Sequence, residues 1–275
     1  MKSYSICFSV VTFRHDISFI EPLLRSINTL SLNSASPLFN FQVLLHENIH
    51  TRPFLDVHLV SHCLGNVDFF YSSSPNKGFG FGHNHNFSFI DPSSYSESLF
   101  VVCNPDISFI GLDLLDLFMW VLANPSVSVA SPLIIGTKGI IQRTAKSNPT
   151  FLSLTLGRLH YLTKIPPLGW YYNRHISSYL QYENTIIPST YLSGCFLVIP
   201  SSYYNLVNGF DQKYFLHLED ADICRTLATY GLSLHVPLAS VIHDWARSSH
   251  SSLTQMYHIF RSYCIYIRKW GFVLF

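Results

Sequence analysis

The side chains most able to do chemistry gather between Tyr191 and His243. Gly209-Phe210-Asp211 precedes His217-Leu218-Glu219-Asp220-Ala221-Asp222, and an apolar stretch then runs to His243. Three carboxylates within four residues, followed by the imidazole of His243, bring a proton acceptor and cation-holding groups into one segment. Only 12% of the chain is charged, so this density is not ordinary surface. Upstream, Asn104-Pro105-Asp106 sets another acid just beyond an apolar run at 99–103.

A reaction that replaces a nucleoside diphosphate by a sugar hydroxyl needs a base for the hydroxyl proton and positive charge on the leaving group. Asp220 is the candidate base. Asp106 and His243 are candidate ligands for Mg²⁺ or Mn²⁺, hard cations that take one or two protein carboxylates together with phosphate oxygens. Plainer readings stand beside these. Acids at a helix N-terminus stabilise its dipole, which is the expected role of Asp222. Asn, Pro and Asp are all turn formers. His243 reads equally as a ligand and as an ordinary strand-end residue. The stretch from Asn76 through Gly78, Gly80 and Gly82 to Asn84 follows the third expected strand and is expected to open a helix, where the backbone can approach an anion. It lacks G-x-G-x-x-G spacing, which argues against a nicotinamide-dependent dehydrogenase.

These residues must be positioned by strands and helices in alternation. Apolar runs at 4–13, 41–45, 67–71 and 99–103 read as strands, and helical periodicity marks 17–32 and 112–122. The pattern implies a largely parallel α/β sheet, with ligands collecting beyond the carboxyl ends of its strands. Residues 137–189 mix Pro, Gly, Ser and aromatics and carry no clear period. Strand character returns at 191–199, 220–230 reads as a helix capped by Gly231, and 253–275 reads as a helical tail. No repeat or linker divides the chain, so residues 1–275 are expected to form one domain, with 1–110 as one half and 190–250 as the other.

The bulk numbers limit the alternatives. With 275 residues, 48% hydrophobic and 15% aromatic, the chain has ample core and is not disordered. A formal net charge of +1 argues against a nucleic-acid partner. No apolar run reaches the roughly 18–20 residues of a membrane helix, and the N-terminus reads as a first strand, not a signal peptide. Six scattered cysteines without a C-x-x-C pair read as free thiols of a cytoplasmic protein. Among fourteen histidines, the pairs His46/His50 and His58/His62 have i,i+4 spacing but no third ligand or helical context, which argues against zinc.

The order of these motifs resembles the family 2 glycosyltransferases, inverting enzymes of the GT-A fold, a mostly parallel sheet flanked by helices. Within them it looks like the rhamnosyltransferase branch of bacterial O-antigen and surface-polysaccharide assembly. The resemblance spans about residues 4–271 and is weakest over 137–189. It implies that Thr12 and Glu47-Asn48 line the nucleotide site, with Glu47 a departure from the family's Asp. It further implies that Asn76, Gly78, Gly80, Asn84 and Asn104 face the donor, with Asn104 replacing the first acid of D-x-D. Glu219-Asp220 looks like the catalytic pair, and Arg225 lies one place early for the family's Arg. By the same resemblance the donor is dTDP-rhamnose, or a UDP- or GDP-sugar, and the acceptor a lipid-linked oligosaccharide at the cytoplasmic face of the inner membrane. A non-catalytic nucleotide- or glycan-binding relative is the alternative. The aromatic and basic tail 253–275 suits a peripheral membrane contact as well as it suits packing on the core.

Overall fold

The computed structural model describes residues 4–34, 38–244 and 253–275. The first half of the chain alternates β1 (Tyr4–Phe13), α1 (Ile17–Asn33), β2 (Phe39–Ile49), α2 (Val57–Leu64), β3 (Asp68–Pro75), α3 (Phe79–Phe87) and β4 (Ser98–Cys103). There follow β5 (Ile107–Ser108), α4 (Asp113–Ala123), β6 (Val127–Gly136) and β7 (Ala145–Lys146). A helical layer comes next, formed by α5 (Phe151–Arg158), the 3-10 turn His160–Lys164 and α6 (Pro166–His175). The chain then returns through β8 (Ile187–Pro188), β9 (Tyr191–Leu192), β10 (Phe196–Pro200) and α7 (Ser201–Leu206). It ends with α8 (Glu219–Leu227), β11 (Leu232–His243) and α9 (Leu253–Trp270).

The main sheet has the order β3-β2-β1-β4-β10-β6-β11-β5, with β8 on β11. β3, β2, β1 and β4 run parallel, as helix crossovers between strands require. β10 lies antiparallel between β4 and β6, so the sheet is mixed where it passes the candidate site. Both faces are covered, which is why the strand sequences are nearly continuous apolar runs. Ile6, Phe8 and Val10 of β1 pack on Ile20, Leu24 and Ile27 of α1, while Cys7 joins Phe100 and Leu197 in a second core on the opposite face. Asp16 caps α1 by accepting the Phe19 amide.

Several expectations need correction. The run 191–199 is not one strand: it breaks at Ser193-Gly194-Cys195 into β9, which pairs with β7 in a separate two-stranded sheet, and β10 in the main sheet. Helix α8 begins at Glu219 and is capped at Ala228, so Gly231 does not end it. Gly231 instead passes so close to β6 that a Cβ there would lie 2.7 Å from the Ser126 carbonyl oxygen. His58 and His62 do have a helical context, on α2. The tail is helical only to Trp270. Beyond it the chain passes the start of α5, where the Phe151 and Leu152 amides donate to the carbonyls of Val273 (2.9 Å) and Leu274 (3.0 Å). Among the described residues no helix is long and apolar enough to cross a membrane.

Candidate functional site

The carboxyl ends of β4 and β11 meet at the first cluster. Asp106 follows β4 by three residues, and its Oδ1 lies 3.3 Å from Nε2 of His243, the last residue of β11. Asn104 Nδ2 is 3.5 Å from the same nitrogen. The other ring nitrogen, Nδ1, is 2.8 Å from Gln142 Oε1. Gln142 Nε2 donates to the His243 carbonyl (3.0 Å), so its Oε1 is left to accept. That puts the proton on Nδ1 and a lone pair on Nε2, facing a buried Asp106 oxygen that has no hydrogen-bond partner. A lone pair and a carboxylate at this distance hold together only with a proton or a cation between them. The donor set fits a divalent cation of the kind that takes its remaining ligands from phosphate oxygens: one carboxylate oxygen and one imidazole nitrogen oriented through its second nitrogen.

The second cluster is the acidic pair. His217 and Leu218 both take positive φ, 70° and 63°, a left-handed conformation that costs non-glycine residues energy. This double kink delivers Glu219 and Asp220 at the start of α8. Asp220 Oδ2 accepts the Gly194 amide (3.0 Å), and Oδ1 accepts the Ala221 amide (2.9 Å). Burial raises the Asp220 pKa, while the Gly194 bond and the positive charge of Lys146 draw it back down. Glu219 is pushed up further, to about 8, by burial and by the charge of Asp220. It is the proton-holding member of the pair. Asp222, as expected, is structural: its carboxylate takes Lys269 Nζ (2.7 Å) and Trp270 Nε1 (2.6 Å), fastening α9 to α8.

One turn joins the two clusters. Ser193-Gly194-Cys195 gives its central amide to Asp220, and its Cys195 carbonyl accepts the Asn104 amide at 2.9 Å. The broken strand is therefore what brings Asp220 to the edge that carries Asp106.

The residues expected to face the donor divide in two. Thr12 and Glu47 are register partners on β1 and β2, and Thr12 Oγ1 is buried without a partner. Asn48 Nδ2 donates to the Gly78 carbonyl (3.3 Å), and Asn76 Oδ1 accepts the Gly78 amide (2.9 Å), shaping the entry to α3. Gly78 sits at φ 104°, and a Cβ there would lie 2.3 Å from the Phe215 carbonyl oxygen. Phe79 N donates to that same oxygen (3.2 Å), which ties the start of α3 to the segment before Glu219. Other residues have internal tasks. Glu47 accepts from the amides of Phe54 and Leu55 and from the Tyr71 hydroxyl (2.7 Å), so the departure from Asp serves to hold the loop after β2. Asn84 binds the Tyr204 hydroxyl and both backbone polar groups of Phe210, and a Cβ on Gly80 would meet Phe210. Both residues clamp the Gly-Phe-Asp turn.

Three side chains at the site carried no sequence signal strong enough to single them out. Lys146 lies in the irregular middle of the chain. It is half-buried, pairs across the two-stranded sheet with Tyr191, and holds its ammonium 4.6 Å from that ring. Gln142 lies between β6 and β7, where the returning chain gives its amide to the Ile134 carbonyl (2.9 Å). His15 acts on Asp106 electrostatically, and burial lowers its pKa. Its position two residues past β1, at the same sheet edge as Asp106, was the available clue.

No family model matches the chain. Its fold is the GT-A fold of nucleotide-sugar glycosyltransferases. A crystal structure of GalNAc-T7 with UDP, GalNAc and Mn²⁺ superposes at TM-score 0.62 with 11% identity, covering 88% of this chain and 43% of that one. The mannosyltransferase PcManGT from Pyrobaculum calidifontis, in complex with GDP-Man and Mn²⁺, gives TM-score 0.61 with 11% identity over 98% of this chain and 65% of that one.

In sequence the chain is similar to rhamnosyltransferases. It is 32% identical over 153 residues to an N-acetylglucosaminyl-diphospho-decaprenol L-rhamnosyltransferase of Mycobacterium tuberculosis, 54% of this chain and 48% of that protein. Rhamnosyltransferase WbbL of Escherichia coli (strain K12) is 40% identical over 63 residues, 22% of this chain and 23% of its own. The matched segment thus spans about half of the first of these relatives and less of the second.

Proposed function

We propose that the chain is an inverting glycosyltransferase and that residues 1–275 act as one catalytic domain, with 1–110 holding the nucleotide-sugar and 190–250 the acceptor. The observation that carries this reading is the single turn at Ser193-Gly194-Cys195 linking a candidate base to a candidate cation site. Asp220 takes the proton from an acceptor hydroxyl as that oxygen attacks the anomeric carbon from the face opposite the leaving diphosphate. Glu219 keeps its own proton and leaves the negative charge to Asp220. Gly194 N–H and Lys146 hold the base ionised and fixed in place. Asp106 and His243, with Asn104 alongside, would hold Mg²⁺ or Mn²⁺. When bound, that ion supplies positive charge to the departing diphosphate. Thr12, Asn48 and the Asn76–Gly78 turn line the nucleotide side.

Similarity to the rhamnosyltransferases favours L-rhamnose from dTDP-rhamnose as the donor, and a glycan on a polyprenyl diphosphate as the acceptor, in bacterial surface-polysaccharide assembly at the cytoplasmic face of the inner membrane. Calorimetry with dTDP-rhamnose, UDP-hexoses and GDP-mannose, each with and without Mn²⁺, tests this. Tight Mn²⁺-dependent binding of dTDP-rhamnose alone is the expected result. Preference for a UDP- or GDP-sugar would keep the mechanism and sink the substrate. Binding of none by folded protein would leave a non-catalytic relative.

A further inference from the structure

Charge is distributed unevenly along the chain. Residues 137–182 contain six Lys and Arg and no Asp or Glu, and residues 253–275 contain three and none. The remainder holds 8 basic against 16 acidic residues. A formal net charge of +1 therefore conceals a strongly basic portion attached to an acidic body.

The two basic segments are contiguous in space. α5 packs on α6 and on the 3-10 turn, and Val273 and Leu274, beyond the end of α9, accept hydrogen bonds from the first two amides of α5. Large apolar side chains are also left in solvent here: Tyr161 is 64% exposed, Trp170 67%, Phe260 68% and Phe272 60%. Exposed Lys164, Arg174, Arg261 and Arg268 accompany them. The Arg174 guanidinium lies 5.8 Å from the Trp170 ring. Helix α9 has two faces. Ser262, Tyr266, Lys269 and Trp270 turn toward α8 and its approach, and the helical period sets Tyr257, Phe260, Arg261 and Arg268 on the opposite side.

We propose that this helical layer, formed jointly by α5, the turn His160–Lys164, α6 and the outer face of α9, docks on a bilayer surface carrying anionic headgroups. Basic side chains supply attraction to the headgroups, and amphipathic aromatics enter the interface between them. A nucleic acid would use the charge but not the exposed Ile165, Val273 and Leu274. The layer adjoins the candidate site: the Ser147 amide donates to the His175 carbonyl (2.9 Å), tying the end of α6 to the strand that carries Lys146. A lipid-borne acceptor would thus arrive beside Asp220. That last step rests on the proposed function, whereas the docking itself requires no catalysis.

Flotation with vesicles of phosphatidylcholine alone and of phosphatidylcholine with phosphatidylglycerol tests the assignment. The chain is expected to float with the mixed vesicles only and to be released by salt. The double variant K164E/R174E should bind at least about tenfold more weakly, and Trp170→Ala and Phe260→Ala should each weaken binding while leaving the circular dichroism of the protein unchanged. Four results would overturn the proposal: no flotation; equal flotation with neutral vesicles; variants that bind like the parent; or a duplex DNA or a second copy of the chain taking the surface in place of the vesicles, read by mobility shift and sedimentation. Vesicle binding without any sugar transfer would sink the enzymatic reading and leave this one standing.

Discussion

Asp220 is under opposing influences, and they make its role measurable. Burial favours its neutral form, and a base must be ionised. The Gly194 amide and Lys146 oppose burial. Asp220→Asn keeps the shape and loses the basicity, so transfer should fall about 10²- to 10⁴-fold while calorimetric donor affinity is retained. Transfer at the parent rate would remove Asp220 from the role. Lys146→Met removes a positive charge that favours the carboxylate. The Asp220 pKa then rises, and the rising limb of the pH–rate profile should move to higher pH, with Lys146→Arg restoring it. An unmoved limb would assign Lys146 to packing alone. In the other cluster, Gln142 fixes the tautomer of His243. Gln142→Leu should weaken Mn²⁺ binding by roughly tenfold or more, measured by calorimetry with the nucleotide present.

At the level of elements, contacts that close the site also hold its parts together. Asp222 is buried and fastens α9 through Lys269 and Trp270. Asp222→Ala should cost about 3 kcal/mol, the low end for a broken buried pair because Lys269 can turn to solvent; chemical denaturation reads this directly, and a loss within experimental error would mean that α9 docks by its apolar face alone. The strands and helices that create these contacts were legible where one element obeys one period. β1, α1, β4 and α4 lie within a residue or so of their sequence patterns, because each is buried along a full face or on both. The motif order was enough to point to the GT-A fold. The break at Ser193-Gly194-Cys195 was not legible, since apolar residues on both sides belong to different sheets and sequence hydrophobicity does not record which partner a strand takes. Lys146 and Gln142 were missed for a related reason. Short elements such as β7 have no period to read, and their value lies wholly in what they are placed beside. Asn84 and Glu47 stand out in sequence as polar residues in motifs, yet polarity alone does not distinguish a ligand contact from an internal clamp.

Across the whole molecule, buried titratable groups set the pH range in which the fold is most stable. Burial lowers His46 to about 4, His83 to about 3 and His175 to about 4, from an ordinary value of 6.5. They lie in β2, in α3 and at the end of α6, so the parallel strands and the helical layer both contribute. Above 6.5 these imidazoles are neutral whether the chain is folded or not. As the pH falls below 6.5, the unfolded chain takes up protons that the folded one refuses, and stability is lost toward pH 4. Glu219 works in the opposite sense. Its folded value is raised from 4.5 to about 8, so its contribution is complete below 4.5 and drains away as the pH rises to about 8. Between 4.5 and 6.5 three imidazoles outweigh one carboxyl, and above 6.5 the carboxyl acts against no imidazole of this set. Thermal unfolding followed across this range should therefore show a maximum near pH 6.5, with a steep acid limb and a shallow alkaline one. Glu219→Gln should flatten the alkaline limb and, by removing the one carboxyl that opposes the three imidazoles between 4.5 and 6.5, steepen the acid limb. A maximum that stays near 6.5 with both limbs unchanged in that variant would mean that Glu219 is ionised in the folded protein, and the division of labour between it and Asp220 would have to be reversed.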